Sequence, residues 1–273
     1  MNYFFSILAG IIQGLTEFLP ISSSGHLVLF HDFFRFDFPD ALAFDVVLHL
    51  GTLLALIIYF AFDIAKYFTA WLTSFVKWDF RADVNKRLAW FLFFGTIPAA
   101  VAGFYLEDQI DNFFRQPMSV AVMLIVFGIF LYLADRFFKQ FKTINELSFA
   151  NALVIGIFQV LALVPGVSRS GITIIAGLSQ RLKRQDAARF SFLLAIPIIF
   201  GAGLKKSIDF FSTGNILAND LIILAVGFIS SAITGYIAIR FFLKFLENHS
   251  LKAFAVYRVV LGFVIIFIIL FFK

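Results

Sequence analysis

Six long apolar stretches constrain this chain more than any other feature of its sequence. A helix that crosses the hydrocarbon core of a bilayer needs about 20 mostly apolar residues. The stretches of about this length are Phe44–Phe62, Leu88–Leu106, Met118–Ala134, Ala187–Leu204, Leu221–Ile239 and Ala253–Phe272. Hydrophobic residues make up 61% of the 273 residues and charged residues 14%, which leaves too few polar side chains to cover a water-soluble globule. The sequence therefore predicts an all-α integral membrane protein with six transmembrane helices.

Lysines and arginines in the connections predict how the spans are oriented. Four connections are rich in these residues, with five, three, four and three: 63–87, 135–148, 181–189 and 240–252. Three are poor in them, with one, one and two: 31–43, 107–117 and 205–220. Because short cytoplasmic connections are enriched in Lys and Arg, the first group is predicted to face the cytoplasm. Both chain termini are then predicted on the extracytoplasmic side.

The motif PGVSRSGIT, from Pro165 to Thr173, interrupts apolar sequence between two connections that are both predicted to be cytoplasmic. The chain must therefore enter the membrane and return to the same side. Each apolar arm is too short for a comfortable span, and Pro165 with Gly166 breaks any helix through the motif. Irregular backbone at that depth is tolerated where it is buried in protein or lines a wet cavity. Residues 149–180 are therefore predicted to form a re-entrant helical hairpin.

The N-terminal region repeats this pattern. Four residues of its motif, and their counterparts in the second motif, are Gly10, Gln13, Ser22 and Gly25 with Gly156, Gln159, Ser168 and Gly171. A later similarity relates GTIPAAVAGFY, which begins at Gly95, to GFISSAITGYI, which begins at Gly227. Two repeats are therefore predicted within one membrane domain, residues 1–148 and 149–273. Each would contain a re-entrant hairpin (residues 1–33 and 149–180) followed by three spans.

The odd number of spans in each repeat predicts that the second repeat is inverted relative to the first. Paired broken segments in inverted halves indicate a binding site near the middle of the membrane. The tips of the two hairpins are predicted to meet there.

Glu17 and Arg169 carry charges well inside apolar sequence. Such a charge at the bilayer centre costs on the order of 2.5–3.5 kcal/mol on insertion scales, so a functional role is the default hypothesis. Opposite charges on facing tips indicate a shared site, although an ion pair that only joins the hairpins would also explain them. Gln13, one turn before Glu17, is predicted to project from the same helix face. In the second repeat, Leu163 takes the place of Glu17.

The segment SSSGH, from Ser22 to His26, places hydroxyls near an imidazole. Ser23 and His26 share a face if a helix begins near Ser22. A hydroxyl with a nearby imidazole is typical of nucleophilic or acid–base catalysis, whereas serines in this position are also common helix N-caps. Glu17, Ser23, His26 and Arg169 are the predicted catalytic residues.

Both tips also carry groups suited to anions. The Arg169 guanidinium matches phosphate or carboxylate, and helices beginning after Gly25 and Gly171 would direct free N–H groups at the same point. The predicted phosphate-binding residues are Gln13, Ser22, Ser24, Gly25, Ser168, Ser170, Gly171 and Thr173.

Three further features are predicted to lie outside this site. Arg258, in the last span, is expected to extend toward lipid headgroups. His49 is expected to be a packed or hydrogen-bonded residue of a span rather than a ligand-binding one. The stretch Lys66–Arg87, with Trp71 and Trp78, is expected to be an amphipathic segment at the membrane interface.

An anion site in the middle of the membrane fits two classes of protein. One is an enzyme that acts on a lipid phosphate, and the other is a transporter or flippase for an anion. Inverted repeats favour transport, while the Ser, His and Glu group favours chemistry, because binding alone requires no nucleophile and base. The sequence has no cysteine, which excludes disulfides and thiolate chemistry, and no feature predicts a nucleic acid partner.

The motifs QGLTEFLPISSSGH and PGVSRSGIT resemble the two motifs of the undecaprenyl-diphosphate phosphatase family linked to bacitracin resistance. The similarity continues through FSFLLAIPIIFGA and FAVYR, so it covers essentially the whole chain. Some members of the family have a second glutamate where Gln13 stands. This difference weakens any scheme in which two carboxylates hold a metal.

The resemblance implies an enzyme of the bacterial plasma membrane that removes the terminal phosphate from undecaprenyl diphosphate and returns the monophosphate carrier to cell-wall synthesis. It also implies a divalent cation, Mg²⁺ or Ca²⁺, held by Glu17 and the substrate diphosphate, and it leaves a homodimer open. Either Ser23 or His26 would attack the terminal phosphorus while the other assists proton transfer. The implied site comprises Gln13, Glu17, Ser22, Ser23, Ser24 and His26, facing Ser168, Arg169, Ser170 and Thr173.

Overall fold

The computed structural model describes residues 2–34, 41–79, 83–212 and 218–272, and helices account for most of them. No β-strand occurs among these residues. The α-helices are α1 (Asn2–Phe18), α2 (Ser23–Phe34), α3 (Ala41–Tyr59), α4 (Ala61–Ser74), α5 (Val84–Phe114), α6 (Pro117–Phe137), α7 (Phe149–Gln159), α8 (Arg169–Ser179), α9 (Arg184–Ser212), α10 (Ala218–Phe245) and α11 (Lys252–Phe272). Short 3₁₀ helices cover Ile144–Glu146 and Val160–Leu163.

Five of these helices, α5, α6, α9, α10 and α11, are each long and apolar enough to cross a membrane. α3 meets the same condition only together with α4, from which it is bent by 80°. The chain is therefore a multi-pass, all-helical membrane protein. The predicted span Phe44–Phe62 runs past this bend and is wrong at its end, because α3 stops at Tyr59.

α4 occupies part of the stretch that was predicted to lie at the membrane interface. Its exposed apolar side chains include Phe62, Phe68 and Leu72. Exposed apolar side chains also occur on the spans, for example Phe263 and Phe267, so the position of α4 at the membrane interface stays a prediction. The stretch continues through residues 80–82, which lie outside the described residues.

Two helical hairpins accompany the spans, one before α3 and the other between α6 and α9. The first hairpin consists of α1, residues 19–22 and α2, and the second consists of α7, the 3₁₀ helix Val160–Leu163, residues 164–168 and α8. In each hairpin the serine before the second helix, Ser22 or Ser168, has a positive φ of 74°. The hydroxyl of each serine accepts a hydrogen bond from a glycine N–H three residues later, at 3.3 Å from Gly25 and 3.1 Å from Gly171.

These caps explain where the second helix of each hairpin begins. A serine hydroxyl that satisfies a free N–H group starts the helix directly after the serine. α2 and α8 therefore begin at Ser23 and Arg169. The expectation that the helices begin after Gly25 and Gly171 is wrong by nearly one helical turn, since the glycines lie inside the first turn.

Each hairpin packs against a long helix from the other half of the chain. α1 contacts α10, and α7 contacts α5. A Cβ atom on Gly10 would lie 2.5 Å from the carbonyl oxygen of Gly227, and one on Gly156 would lie 2.2 Å from that of Gly95. No side chain fits at these distances, so small residues allow the helix backbones to touch. The glycines paired by the internal repeat therefore occupy corresponding contacts.

Candidate active site

The turns of the two hairpins meet inside the protein. Arg169 Nη2 donates a hydrogen bond to Glu17 Oε1 at 2.8 Å, and the Ser170 hydroxyl donates one to the carbonyl oxygen of Leu19 at 3.1 Å. The side chains of Arg169 and Glu17 are only 12% and 4% exposed. Desolvating such a pair can cost more free energy than its own attraction returns. Stability alone is therefore a weak reason for these charges to be buried here.

The second carboxylate oxygen of Glu17 is surrounded by polar groups. The Ser23 hydroxyl donates to Oε2 at 2.6 Å, and Gln13 Nε2 donates to it at 2.9 Å. His49 Nε2 lies 3.5 Å from the same oxygen. Gln13 and Glu17 thus share a helix face, as their spacing predicts. A carboxylate that accepts a hydrogen bond from a serine hydroxyl is placed to act as its base.

His26 is engaged elsewhere. Its Nδ1 lies 2.7 Å from the carbonyl oxygen of Ser22, and its Nε2 lies 2.8 Å from the hydroxyl of Tyr257. Because a carbonyl only accepts, Nδ1 carries the hydrogen and Nε2 accepts from Tyr257. The hydrogen-bond partner of Ser23 is therefore Glu17 rather than His26.

The polar residues around Arg169 hold α8 against α9. Arg169 Nη1 donates to the carbonyl oxygen of Ser191 at 3.4 Å, and the Thr173 and Ser191 hydroxyls are 2.6 Å apart. The Ser168 and Ser170 hydroxyls are 3.2 Å apart. These contacts direct the guanidinium toward the first hairpin.

The expectation that Arg258 extends toward lipid headgroups is wrong. Its side chain is fully buried instead of extending to lipid headgroups. The guanidinium donates to the carbonyl oxygens of Pro20 at 3.1 Å, Gly166 at 2.8 Å and Val167 at 2.9 Å. Pro20 belongs to the turn of the first hairpin and Gly166 to that of the second. Arg258 therefore points inward because the two turns offer it carbonyl oxygens that have no helical partner.

A cavity of about 250 Å³ lies where the hairpins meet. Among the predicted residues, those that line it are Glu17, Ser23, Ser24, Ser168 and Arg169. The predicted residues that are not part of this lining are Gln13, Ser22, Gly25, His26, Ser170, Gly171 and Thr173. These form the caps and hydrogen bonds that hold the lining residues in place. Apolar side chains complete the walls, among them Val46, Ala99, Leu163, Ile198 and Ile199.

Two polar residues of the lining, His49 and Gln159, were not among the predicted site residues. His49 donates from Nδ1 to the carbonyl oxygen of Asp45 at 2.8 Å, as expected of a hydrogen-bonded residue of a span, but its Nε2 also faces Glu17. The polar character of His49 was visible in the sequence, whereas its proximity to Glu17 depends on how α3 packs against α1. The correspondence of Gln159 with Gln13 in the internal repeat was a signal that could have identified Gln159.

The oxygen atoms near Glu17 define what kind of cation this site could hold. Among the described residues, no group of three or more His, Cys, Asp or Glu side chains is arranged to bind a metal ion. Next to Glu17, the buried Gln13 Oε1 has no hydrogen-bond partner in the part of the chain that the structure describes. Mg²⁺ prefers oxygen ligands and is usually held by one or two carboxylates together with substrate phosphates. The single carboxylate of Glu17 in the cavity fits a cation that is shared with a bound diphosphate rather than one held by protein alone.

Comparison with known proteins identifies the family of this chain. The family described as bacitracin resistance protein BacA matches residues 6–264 of the chain. The chain belongs to this family. It is 43% identical to an undecaprenyl-diphosphatase of Thermomicrobium roseum, with 99% of each chain covered. It is 46% identical to the undecaprenyl-diphosphatases of Desulforudis audaxviator, with 99% of each chain covered, and of Trichlorobacter lovleyi, with 96% and 95% covered.

Proposed function

We propose that this protein hydrolyses undecaprenyl diphosphate to undecaprenyl phosphate and inorganic phosphate, which recycles the lipid carrier for cell-wall synthesis and confers resistance to bacitracin. The observation that carries this proposal is the Ser23 hydroxyl bonded at 2.6 Å to Glu17, beside Arg169 in one buried cavity. This combination supplies a nucleophile, a base and a cation for phosphate. The names of the relatives at 43–46% identity support the same activity.

In the proposed reaction Arg169 binds the diphosphate and Ser23 attacks its terminal phosphorus. Glu17 takes the hydroxyl proton of Ser23 as the bond from Oγ to phosphorus forms. The bond from this phosphorus to the bridging oxygen breaks, and undecaprenyl phosphate leaves. Glu17 then gives this proton to the departing undecaprenyl phosphate and is a carboxylate again. Water attacks the phosphoserine, Glu17 accepts a proton from the water and passes it to Ser23 Oγ as the bond from Oγ to phosphorus breaks, and inorganic phosphate is released.

We assign the attack to Ser23 instead of His26 because both ring nitrogens of His26 are already engaged, by Ser22 and Tyr257. His26 is better placed to fix the first turn of α2. Mass analysis of protein quenched during turnover should therefore find phosphate on Ser23. Phosphate on His26 would reverse the assignment.

A divalent cation would take part through the oxygen donors of the first hairpin. We propose that Glu17, oriented by the hydrogen bond from Gln13, holds Mg²⁺ or Ca²⁺ together with the substrate diphosphate. Such a cation neutralises charge that develops on the phosphoryl groups. Removal of the cation should then abolish turnover without unfolding the protein.

The central experiment measures phosphate release from farnesyl diphosphate by the purified protein in detergent. We expect release with Mg²⁺ or Ca²⁺, loss of release with chelator, and recovery when the cation is restored. Farnesyl monophosphate should accumulate in equal amount. No release from any isoprenyl diphosphate, together with movement of a lipid phosphate across liposome membranes, would favour the transporter or flippase class instead.

We also propose that the protein has six spans and two re-entrant hairpins in two inverted repeats, with both termini outside the cytoplasm of a bacterial plasma membrane. The corresponding contacts of Gly10 and Gly156 and the matching serine caps support two related halves. Because the sequence has no cysteine, single cysteines can test the orientation. An impermeant maleimide should label Gln116→Cys in intact cells and Asn248→Cys only after permeabilisation. The opposite pattern would invert the proposed orientation.

A further inference from the structure

Gln159 has a buried side-chain amide that no other described residue contacts by a hydrogen bond. The residue is only 2% exposed, and neither Nε2 nor Oε1 of its side chain has a hydrogen-bond partner among the described residues. Leaving a buried polar group unsatisfied costs about 1–3 kcal/mol, and most such groups in proteins are therefore paired. An amide in this state calls for a partner other than the residues that the structure describes.

The position of Gln159 in the cavity wall indicates where that partner would lie. Gln159 ends α7, one turn before Ala162 and Leu163, and all three residues line the cavity between the hairpins. In the first hairpin the corresponding Gln13 donates to Glu17. Gln159 lacks such a partner because Leu163 stands where the acid would be. Packing alone would be satisfied by an apolar side chain of similar volume, so the amide is suited to a ligand.

The polar lining of the cavity is divided between the two hairpins. The first contributes Ser23 with its base Glu17, so the phosphorus under attack must lie on that side. The second phosphate of the substrate is one bridging oxygen away and is esterified to the isoprenoid. The second hairpin offers Arg169 and Gln159 to this inner phosphate.

We propose that Gln159 is a substrate-binding residue whose Nε2 donates a hydrogen bond to the inner, lipid-linked phosphate. This inference rests on the proposed function and names a further subsite of it. The inner phosphate keeps its ester bond to the isoprenoid throughout the reaction. Gln159 therefore makes the same contact with the diphosphate substrate and the monophosphate product, and it affects binding more than the chemical step.

The test is the variant Gln159→Leu, which removes both polar atoms of the side-chain amide and nearly conserves the volume of the side chain. Because the replaced amide is unsatisfied in the protein, the midpoint of thermal unfolding should stay the same or rise. The KM for farnesyl diphosphate should rise about 10- to 100-fold, as expected for the loss of a hydrogen bond to a charged group, while kcat changes by less than about threefold. The inhibition constant of farnesyl monophosphate should rise by the same factor as KM.

Gln13→Leu is the matched variant in the other hairpin. It removes the hydrogen bond to Glu17 and should lower kcat more than it raises KM. Three results for Gln159→Leu would overturn the proposal. These are an unchanged KM and inhibition constant, a lower unfolding midpoint with unchanged KM, and a raised KM with unchanged inhibition by the monophosphate. The last would place the contact on the terminal phosphate.

A binding measurement separates this inference from the proposed function. Farnesyl methylenebisphosphonate has a carbon in place of the bridging oxygen and is not hydrolysed. Its dissociation constant, measured by titration calorimetry, should be about 10-fold higher or more for Gln159→Leu than for the wild type. If the wild type hydrolysed no diphosphate, the proposed function would fail, while weaker binding by Gln159→Leu would still support the contact. Equal binding would overturn it.

Discussion

The two hairpins share a backbone plan but carry different chemistry. Both turn through a serine with φ of 74°, both cap the following helix with that serine, and both use a glycine to touch a long helix of the other half. The side chains at corresponding positions differ: Glu17 with Leu163, Ser23 with Arg169 and His26 with Ile172. The first hairpin therefore carries the carboxylate and the hydroxyl, and the second carries the guanidinium of Arg169. Neither contains a complete site.

This difference explains why the turns must be held together. Arg258 donates to carbonyl oxygens of both turns, and the pair of Arg169 with Glu17 crosses between them. Reacting groups that act together must keep their geometry within a fraction of an ångström. In the proposed reaction, groups from both hairpins act together, so we expect the contact between the hairpins to be needed for activity as well as for stability.

The largest expected effect comes from the acid that only the first hairpin has. Glu17→Gln removes the base for Ser23 and should lower kcat by about 10²–10⁴-fold. Steady-state phosphate release from farnesyl diphosphate measures this, with the thermal unfolding midpoint as a check on folding. Activity near that of the wild type would show that the acid of the first hairpin is not the base.

A smaller effect distinguishes the two guanidinium groups. Arg169→Lys replaces a planar fork with a point charge and should lower kcat/KM about 10- to 100-fold, with little change in thermal stability. Arg258→Lys cannot reach carbonyl oxygens of both turns and should lower the unfolding midpoint as well. If both variants were equally stable and equally impaired, Arg258 would have to bind substrate too.

Replacing the contact glycine by alanine should lower the free energy of unfolding by a similar amount in both hairpins. Gly10→Ala and Gly156→Ala each force a Cβ against the backbone of the facing helix and should destabilise the fold by about 1–3 kcal/mol. Gly201→Ala is the control, because a Cβ there meets nothing within 4 Å. That variant should be neutral or stabilising by about 0.5–1 kcal/mol. Denaturant or thermal unfolding in detergent compares the three, and a tolerated Gly156→Ala would contradict the close contact of α7 with α5.

The smallest expected effect concerns the serine caps. Ser22→Ala and Ser168→Ala should each cost about 1 kcal/mol of stability, because an N-cap hydrogen bond is lost. Ser22→Gly and Ser168→Gly should cost less, since glycine adopts positive φ without strain. Matching losses in the two hairpins would sharpen the comparison. A loss confined to one of them would show that their turns are energetically different.

Much of the site was accessible from the sequence because it lies in two short motifs. The buried position of Glu17 and Arg169 follows from charges within apolar sequence, and the face shared by Gln13 and Glu17 follows from helical periodicity. Arg258 and His49 could not be placed in this way. A span has several faces, and periodicity within one helix does not show which neighbour each face meets.

The sequence by itself determined the class of protein, because its apolar stretches require a membrane and its two broken motifs require protein around them. It also determined which residue types would be available for an anion. Only the tertiary structure decided their partners: Ser23 bonds to Glu17 in place of His26, Arg258 bonds to both turns, and Gln159 bonds to none of the described residues. The physical reason is the separation along the chain between the residues that make these contacts. Composition and periodicity act within one helix, whereas these contacts join residues that are far apart in the chain and meet only when the helices pack.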